Sequence, residues 1–281
     1  MRLGQTSEDG AGVPLSLQMS SIRLASQHLL WKNHLGFLLH PTVALDVQPQ
    51  IFRVAEIGTR TGLWLLDMAK RLPDIQLDGF AIDTSSVPPL QWLPPKVTIR
   101  KVESFTTGLA LNGQSAYDVI RISNLGASIE DNDPGSVVKA AMALLKPGGY
   151  IEWDELDTAH YAIVNSNPSH STSRLQALLK HVDEHDHLLG ARGWIDSLPD
   201  ILARYGLQVQ AGQHRYRLPF AYANVETDNW FKEFEELSYR LANQKDGKEL
   251  RQLMAAAKDD CDRLGQMITA DLVIVVGRKV Y

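Results

Sequence analysis

The chain has 281 residues, of which 44% are apolar and 22% are charged, the composition of a folded globular protein. Its formal net charge of −5 indicates no nucleic-acid partner, and its single cysteine, Cys261, excludes an internal disulfide and favours a reducing compartment. Because no apolar stretch reaches the roughly 20 residues of a membrane span and no secretory signal is recognisable, we expect a cytoplasmic protein without a membrane partner.

The first 50 residues are predicted to form a tail and a helical cap. Residues 1–14 carry Gly, Ser, Thr and acidic residues with little periodicity and are predicted to be mobile. Over residues 17–39 the apolar positions recur at helical spacing, and Pro41 then ends the pattern. One or two helices are therefore predicted ahead of a main domain over residues 51–281.

Short apolar runs alternate with amphipathic ones in the first half of the main domain. Strands are predicted over residues 52–57, 77–82, 97–102, 117–122 and 150–153, and helices over 62–71 and 137–145. The Lys-Pro-Gly-Gly run at 146–149 is predicted to stop the second helix. Such alternation favours a mostly parallel sheet covered on both faces, which binds ligands beyond the carboxyl ends of its strands.

The second half of the chain is less regular. Helices are predicted over residues 173–189, 195–205, 226–243 and 247–263, and strands over 207–216 and 271–280. His181 and His185 lie one helical turn apart, a spacing that can chelate a metal. No second ligand cluster accompanies them, so we interpret them as part of a solvated, charged helix face and predict no metal site.

A glycine-containing turn joins the first strand to the first helix. It reads Glu-Ile-Gly-Thr-Arg-Thr-Gly over residues 56–62. Glycines let a backbone approach a ligand closely, and a helix N-terminus offers free N–H groups to a negative or polar group. Two glycines at this spacing also fit an ordinary tight turn, so the turn alone does not decide between the two interpretations.

Further motifs follow this turn in a characteristic order. They are EIGTRTGLWLLD at 56–67, LDGF at 77–80, WLPP at 92–95, YDV at 117–119, NDP at 132–134, LLKPGGY at 144–150 and WDELD at 153–157. In these motifs the chain resembles the class I methyltransferases that use S-adenosyl-L-methionine (SAM), and among them the branch of fungal secondary metabolism.

The resemblance implies a fold and a reaction. The fold is a Rossmann-like α/β domain with a seven-stranded sheet, whose last strand runs antiparallel near the edge, and an N-terminal helical cap. The reaction is transfer of a methyl group from SAM to a hydrophobic small-molecule intermediate of natural-product biosynthesis. A homodimer is left open.

The resemblance also implies which residues contact SAM. Glu56 matches the acidic position at the end of the first strand, and the turn from Gly58 to Gly62 would wrap the methionine part. Glu103 matches the acid that meets the adenine amino group. Two residues beyond the fourth strand would lie beside the sulfonium: Ser123 and Asn124.

Two positions depart from the family pattern at these contacts. Arg60 replaces a glycine, which places bulk and positive charge close to the expected sulfonium unless the side chain swings outward or pairs with an acid. Ala81 replaces the acid that accepts hydrogen bonds from the ribose hydroxyls. Asp83, two residues on, would share the face of Ala81 if the strand continued, and is our candidate for the ribose contact.

Three residues are candidate catalytic groups. Asp154 follows the predicted fifth strand and could orient a hydroxyl or act as a base, or it could cap a turn. His160 is the nearest histidine in sequence to that rim and is a candidate base, with a surface role as the alternative. His28, in the helical cap, could reach substrate or pack among its apolar neighbours.

Three functions remain open at this point. The first is SAM-dependent methyl transfer to a small molecule, in which positioning and a nearby base carry the catalysis. The second, suggested by Arg60 and Ala81, is an enzyme that kept the fold but catalyses a cyclisation, pericyclic step or isomerisation with weak or no SAM binding. The third is a regulatory binding module.

Overall fold

The computed structural model describes residues 15–44, 52–109, 115–129, 133–185, 193–241 and 244–280. The predicted tail over 1–14 and the predicted domain boundary at residues 50 and 51 lie outside the described residues. So do the last residues of the helices predicted over 173–189 and 226–243. None of the described helices is long and apolar enough to cross a lipid bilayer.

Strands and helices alternate through the first half of the described chain. The strands are β1 (Arg53–Ile57), β2 (Gln76–Ala81), β3 (Val97–Lys101), β4 (Tyr117–Ser123), β5 (Leu145–Leu156), β6 (Ala162–Asn165), β7 (Leu207–Tyr216), β8 (Gln266–Thr269) and β9 (Leu272–Lys279). The helices are α1 (Leu15–Leu35), α2 (Leu63–Arg71), α3 (Gly135–Leu144), α4 (Ser173–Glu184), α5 (Leu198–Arg204), α6 (Ala223–Arg240) and α7 (Gln244–Leu264).

The main sheet has seven strands in the order β3-β2-β1-β4-β5-β9-β7. Strands β1 to β5 pair in parallel, and β9 pairs antiparallel with both β5 and β7. This arrangement confirms the Rossmann-like α/β expectation, including the antiparallel last strand near the edge. The strand order changes direction between β1 and β4, which is where such sheets form a crevice for ligands.

The sheet is buried on both faces. Alternate residues of β1 and β4 face two apolar clusters, with Val54 and Val119 on one side and Ala55 and Ile120 on the other. Helices α2, α4, α6 and α7 contribute to the first cluster, and α3 and α5 to the second. Burial on both faces explains why apolar residues predominate on both faces of these strands.

Several predicted elements need correction. The Lys-Pro-Gly-Gly run does follow the end of α3, but β5 begins at Leu145, so the run belongs to this strand. The pairing of β4 with β5 shifts register at this run, where Gly148 has a φ of +79°. Strand β5 also continues to Leu156, so Asp154 lies within the strand and not after it. The two-stranded sheet of β6 and β8 was not predicted.

The histidine pair on α4 was also misinterpreted in part. His181 is buried, and the ring of His185 contacts the His181 carbonyl and lies 3.6 Å from Asp246 of α7. Since α4 packs against α7 here, the face that carries His181 is an interhelical contact and not a solvated surface.

Candidate active site

Two adjoining cavities lie between α1 and the carboxyl ends of β1 and β4. The smaller has a volume of about 100 Å³ and the larger about 340 Å³. Five residues line both cavities: Leu24, Gln27, Gly58, Arg60 and Asn124. The larger cavity alone falls within the usual size range of small-molecule sites, roughly 300 to 1,000 Å³.

The glycine turn forms the floor at which the two cavities meet. Gly58 and Gly62 have φ values of +86° and +74°, which favour glycine. A Cβ on Gly58 would lie 2.4 Å from Leu125 Cδ2 and 2.6 Å from the Ser123 carbonyl oxygen. The backbone N–H of Gly58 donates to the Phe80 carbonyl at 3.0 Å. The turn therefore packs tightly onto the ends of β2 and β4.

A row of charged side chains crosses the sheet beside the smaller cavity. In the register of the strands, Arg121 on β4 lies between Glu56 on β1 and Glu152 on β5. Its guanidinium donates to Glu56 and, at 2.8 Å, to Asp154, and stacks over the Trp64 ring at 4.9 Å. One buried cation therefore faces three buried carboxyl groups.

Burial sets the protonation of this row. It raises the pKa of Glu152 to about 8, and the charge of Asp154 adds to the rise. Burial also raises the pKa of Asp154 and of Glu56, which Arg121 opposes in both cases. Asp154 accepts hydrogen bonds from Arg121 and from Ser123 Oγ (2.7 Å), whereas Glu152 accepts one, from the His40 backbone N–H. Glu152 is thus protonated at neutral pH, and Asp154 is the member that is hydrogen-bonded to the Arg121 guanidinium.

His28 and Lys32 of α1 form the opposite wall of the smaller cavity. His28 Nε2 lies 2.8 Å and Lys32 Nζ 2.7 Å from Oδ2 of Asp67 on α2. Burial lowers the pKa of His28, although Asp67 opposes this, so the imidazole is neutral at neutral pH. The structure brings the candidates His28 and Asp154 to one cavity.

Arg60 lies where the two cavities meet. Its side chain is half-buried, lines both cavities, and donates a hydrogen bond to the Asn124 carbonyl. No carboxylate of the described residues lies within 4.0 Å of its guanidinium. Burial, followed by the charge of Arg23, lowers the pKa of Arg60. The side chain has neither swung outward nor paired with an acid.

The structure does not place Asp83 and Glu103 as the sequence predicts for the ribose and adenine contacts. Strand β2 ends at Ala81, so the strand does not continue to Asp83. Asp83 lines the larger cavity, but its carboxylate accepts hydrogen bonds from Ser85 N and Oγ, both at 2.8 Å. Glu103 is exposed and is not among the residues that line either cavity.

The remaining predicted residues divide between the cavities and the surface. Ser123 is the last residue of β4 and not beyond it, whereas Asn124 follows the strand with a φ of +47°, and both line the smaller cavity beside the glycine turn. His160 is 65% exposed, contacts Asp157 at 2.9 Å, and does not line either cavity. The structure therefore separates His160 from Asp154 and His28.

SAM can be tested against these residues. The glycine turn suits a backbone-held group such as its amino acid part. The sulfonium, however, would lie beside the half-buried guanidinium of Arg60, and Ala81 offers the ribose no acceptor, while Asp83 is engaged with Ser85. Because like charges repel in a partly buried site and the ribose lacks its acceptor, the residues present do not fit SAM as the structure arranges them.

Sequence reasoning missed Glu152 and Arg121. A signal for Glu152 was present, since it stands two residues before Asp154 and alternation along a strand puts both on one face. No comparable signal existed for Arg121, whose contacts depend on strand order and register.

Comparisons with known proteins agree with the fold. A family model described as "Methyltransferase domain" matches residues 27–211. N-methyltransferase tcpN of Claviceps purpurea is 34% identical over 142 residues, 49% of this chain and 49% of that protein. Methyltransferase grgD of a Penicillium species is 28% identical over 120 residues, 40% of this chain and 41% of that protein. The chain spans about half the length of the curated relatives it matches.

A solved structure shows the same fold. It is a chain in the complex of the Haloferax volcanii Trm112 methyltransferase activator with a methyltransferase, at a TM-score of 0.52 and 14% identity, covering 95% of this chain and 98% of that one.

Proposed function

Because this chain belongs to the methyltransferase-domain family, we propose that it is an enzyme that converts a small organic molecule at the two cavities. We propose further that the conversion is a cyclisation, pericyclic step or isomerisation of a natural-product intermediate, assisted by proton transfer. SAM is not part of this proposal, because Arg60 and Ala81 do not suit it.

One observation carries the proposal: two buried carboxyl groups with different hydrogen-bond partners line the same cavity. Glu152 and Asp154 share one face of β5 and both line the smaller cavity. Environments that push two carboxyl groups toward different protonation states assign the acid and the base. Glu152 can donate a proton to one atom of the substrate while Asp154 accepts one from another.

This division of roles suits a reaction without a co-reactant. One proton enters the substrate and one leaves, so its composition and oxidation state do not change. The neutral His28 and the Ser123 hydroxyl, which donates to Asp154, position the reacting atoms. Positioned acid and base groups typically contribute a rate factor of about 10² to 10⁴.

Methyl transfer is the second candidate function. The intact turn from Gly58 to Gly62 and the family membership favour it. The relatives tcpN and grgD are both named as methyltransferases. For this reaction the Arg60 side chain must leave the junction of the cavities when SAM binds.

The experiment incubates the purified protein with a panel of natural-product intermediates, with and without SAM, and analyses the products by mass spectrometry. We expect a product of unchanged mass without SAM, and at least about a hundredfold lower rate in Glu152→Gln and in Asp154→Asn. Glu249→Gln, an exposed carboxylate on α7, is the matched control and keeps the wild-type rate.

Two results would contradict the proposal. A product that forms only with SAM and carries one additional methyl group would establish the second candidate. An isomerised product formed at the wild-type rate by Glu152→Gln and Asp154→Asn would remove the acid–base pair from the reaction.

A further inference from the structure

Arg60 is a half-buried cation that has no hydrogen bond or ion pair to an acid in the described part of the chain. Its one hydrogen bond is to an uncharged group, the Asn124 carbonyl. Buried charges in proteins are normally paired, because desolvation of a lone charge is costly. A cation left in this state inside a cavity indicates that its partner is a ligand.

The acids around Arg60 are already engaged. Glu236 and Glu233 on α6 pair with Arg23 of α1 at 3.0 and 3.4 Å. The Glu155 carboxyl group accepts the backbone N–H groups of Leu125 and Gly126. Their charges act on Arg60 through space and oppose the lowering of its pKa by burial, but none of the three carboxyl groups is hydrogen-bonded to its guanidinium in the described contacts.

The geometry of the guanidinium matches one kind of ligand. A guanidinium carries five N–H donors in a plane, and pairs of them bind a carboxylate through two parallel hydrogen bonds. Only one nitrogen of Arg60 is engaged by the protein in the described contacts, and the side chain lines both cavities. Its remaining donors are thus directed to the junction of the two.

The walls of the larger cavity indicate the rest of the ligand. Beside the charged groups named above, apolar and aromatic side chains from five regions of the chain line it: Ile82, Phe105, Leu125, Leu156 and Trp230. Its volume of about 340 Å³ admits a ligand with a ring system or a short chain.

We propose that Arg60 binds the carboxylate of a hydrophobic organic acid, whose apolar body occupies the larger cavity. This inference rests on the proposed function, since it names the class of its substrate. The carboxylate lies at the junction of the cavities and so anchors the molecule next to the smaller cavity, where Glu152 and Asp154 act.

Calorimetric titration with matched acids and amides tests the proposal without turnover. The probes are indole-3-acetate and 3-phenylpropionate, each compared with its uncharged primary amide. We expect wild-type protein to bind at least one acid about tenfold or more tighter than its amide, the usual effect of a hydrogen-bonded charge. Arg60→Met abolishes this preference. Arg60→Lys retains part of it, because lysine keeps the positive charge but lacks the paired N–H donors of the guanidinium.

Arg217→Met is the control. Arg217 is a half-exposed arginine that pairs with Asp271 and does not line either cavity, so its removal leaves the acid preference unchanged. Circular dichroism of each variant establishes that it is folded, and Arg60→Lys decides the test if Arg60→Met does not fold.

Three results would overturn the inference. The first is that wild type binds neither acid more tightly than its amide, and the second is that the preference for the acid persists in Arg60→Met. The third is SAM binding that depends on Arg60, because Arg60 would then bind the carboxylate of SAM and not that of a substrate. Failure here leaves the proton-transfer proposal intact, because that proposal is tested by turnover of Glu152 and Asp154 variants.

Discussion

The backbone N–H of His40 donates a 2.7 Å hydrogen bond to the buried carboxyl group of Glu152. This contact ties the segment after α1 to the middle of β5. The His40 ring in turn lies 3.0 Å from the Tyr216 hydroxyl of β7, so one short segment joins the cap to two strands of the sheet. The Glu152 carboxyl group, which lines the smaller cavity, is therefore in direct contact with the segment that joins α1 to the sheet.

The first prediction concerns stability and pH. Burial raises the pKa of Glu152 from 4.5 to about 8, so the folded state holds a proton that the unfolded state releases. Its contribution to stability is present below pH 4.5 and is lost as the pH rises through 8. Glu152→Gln should therefore gain stability relative to wild type between pH 6 and 9, by an amount on the order of a few kcal/mol. Urea unfolding at several pH values measures this difference.

The control for this prediction is Glu249→Gln, at an exposed position on α7. Its stability relative to wild type should not vary over the same range. A Glu152→Gln variant whose relative stability is the same at pH 6 and pH 9 would show that Glu152 is already ionised in the folded protein.

The second prediction concerns Arg121. Arg121→Met leaves Glu56 and Asp154 without the cation that they share, and we expect a loss of about 3 to 5 kcal/mol in the free energy of unfolding. The loss should shrink in acid, because protonation removes the unpaired charges. Arg174→Met removes a half-exposed arginine that pairs with Asp260 and should cost less than about 1 kcal/mol. Equal losses in the two variants would contradict the buried row of charges.

The third prediction separates backbone strain from close packing at the glycine turn. Gly58 and Gly206 have similar φ values, +86° and +89°, but only Gly58 has atoms within 4 Å of an added Cβ. Gly206→Ala should cost about 1 to 2 kcal/mol, the price of the left-handed backbone. Gly58→Ala should cost at least about 1 kcal/mol more, because its Cβ meets Leu125 and the Ser123 carbonyl. Thermal unfolding of both variants checks this, and equal losses would mean that the turn is not tightly packed.

Much of the fold could be predicted because the strands of the parallel sheet are buried on both faces. Residues 52–57 and 117–122 are therefore mostly apolar, with two charged residues in each run, and β1 and β4 lie close to these limits. The sheet of β6 and β8 was not predicted because each strand has only four residues. In so short a segment, an alternation of apolar and polar residues cannot be distinguished from a loop.

The candidate site could be predicted only where it is local in sequence. The turn at Gly58 and the unusual Arg60 are adjacent residues with a visible pattern. The row from Glu56 through Arg121 to Glu152 joins residues 65 and 31 positions apart, counted from their numbers in the chain, and depends on the register of three strands. Periodicity within a strand carries no information about that register.

The claim that Arg60 and Ala81 remove the usual fit for SAM is tested most directly by calorimetric titration of SAM into four proteins: wild type, Asp83→Ala, Arg60→Gly, and Arg60→Gly with Ala81→Asp. We predict no saturable binding by wild type or Asp83→Ala at about millimolar SAM, and binding by the double variant that is at least about tenfold tighter, because the misplaced cation is gone and a bidentate ribose acceptor is restored. Saturable binding of SAM by wild type, unchanged in Asp83→Ala and no tighter in the double variant, would contradict the account.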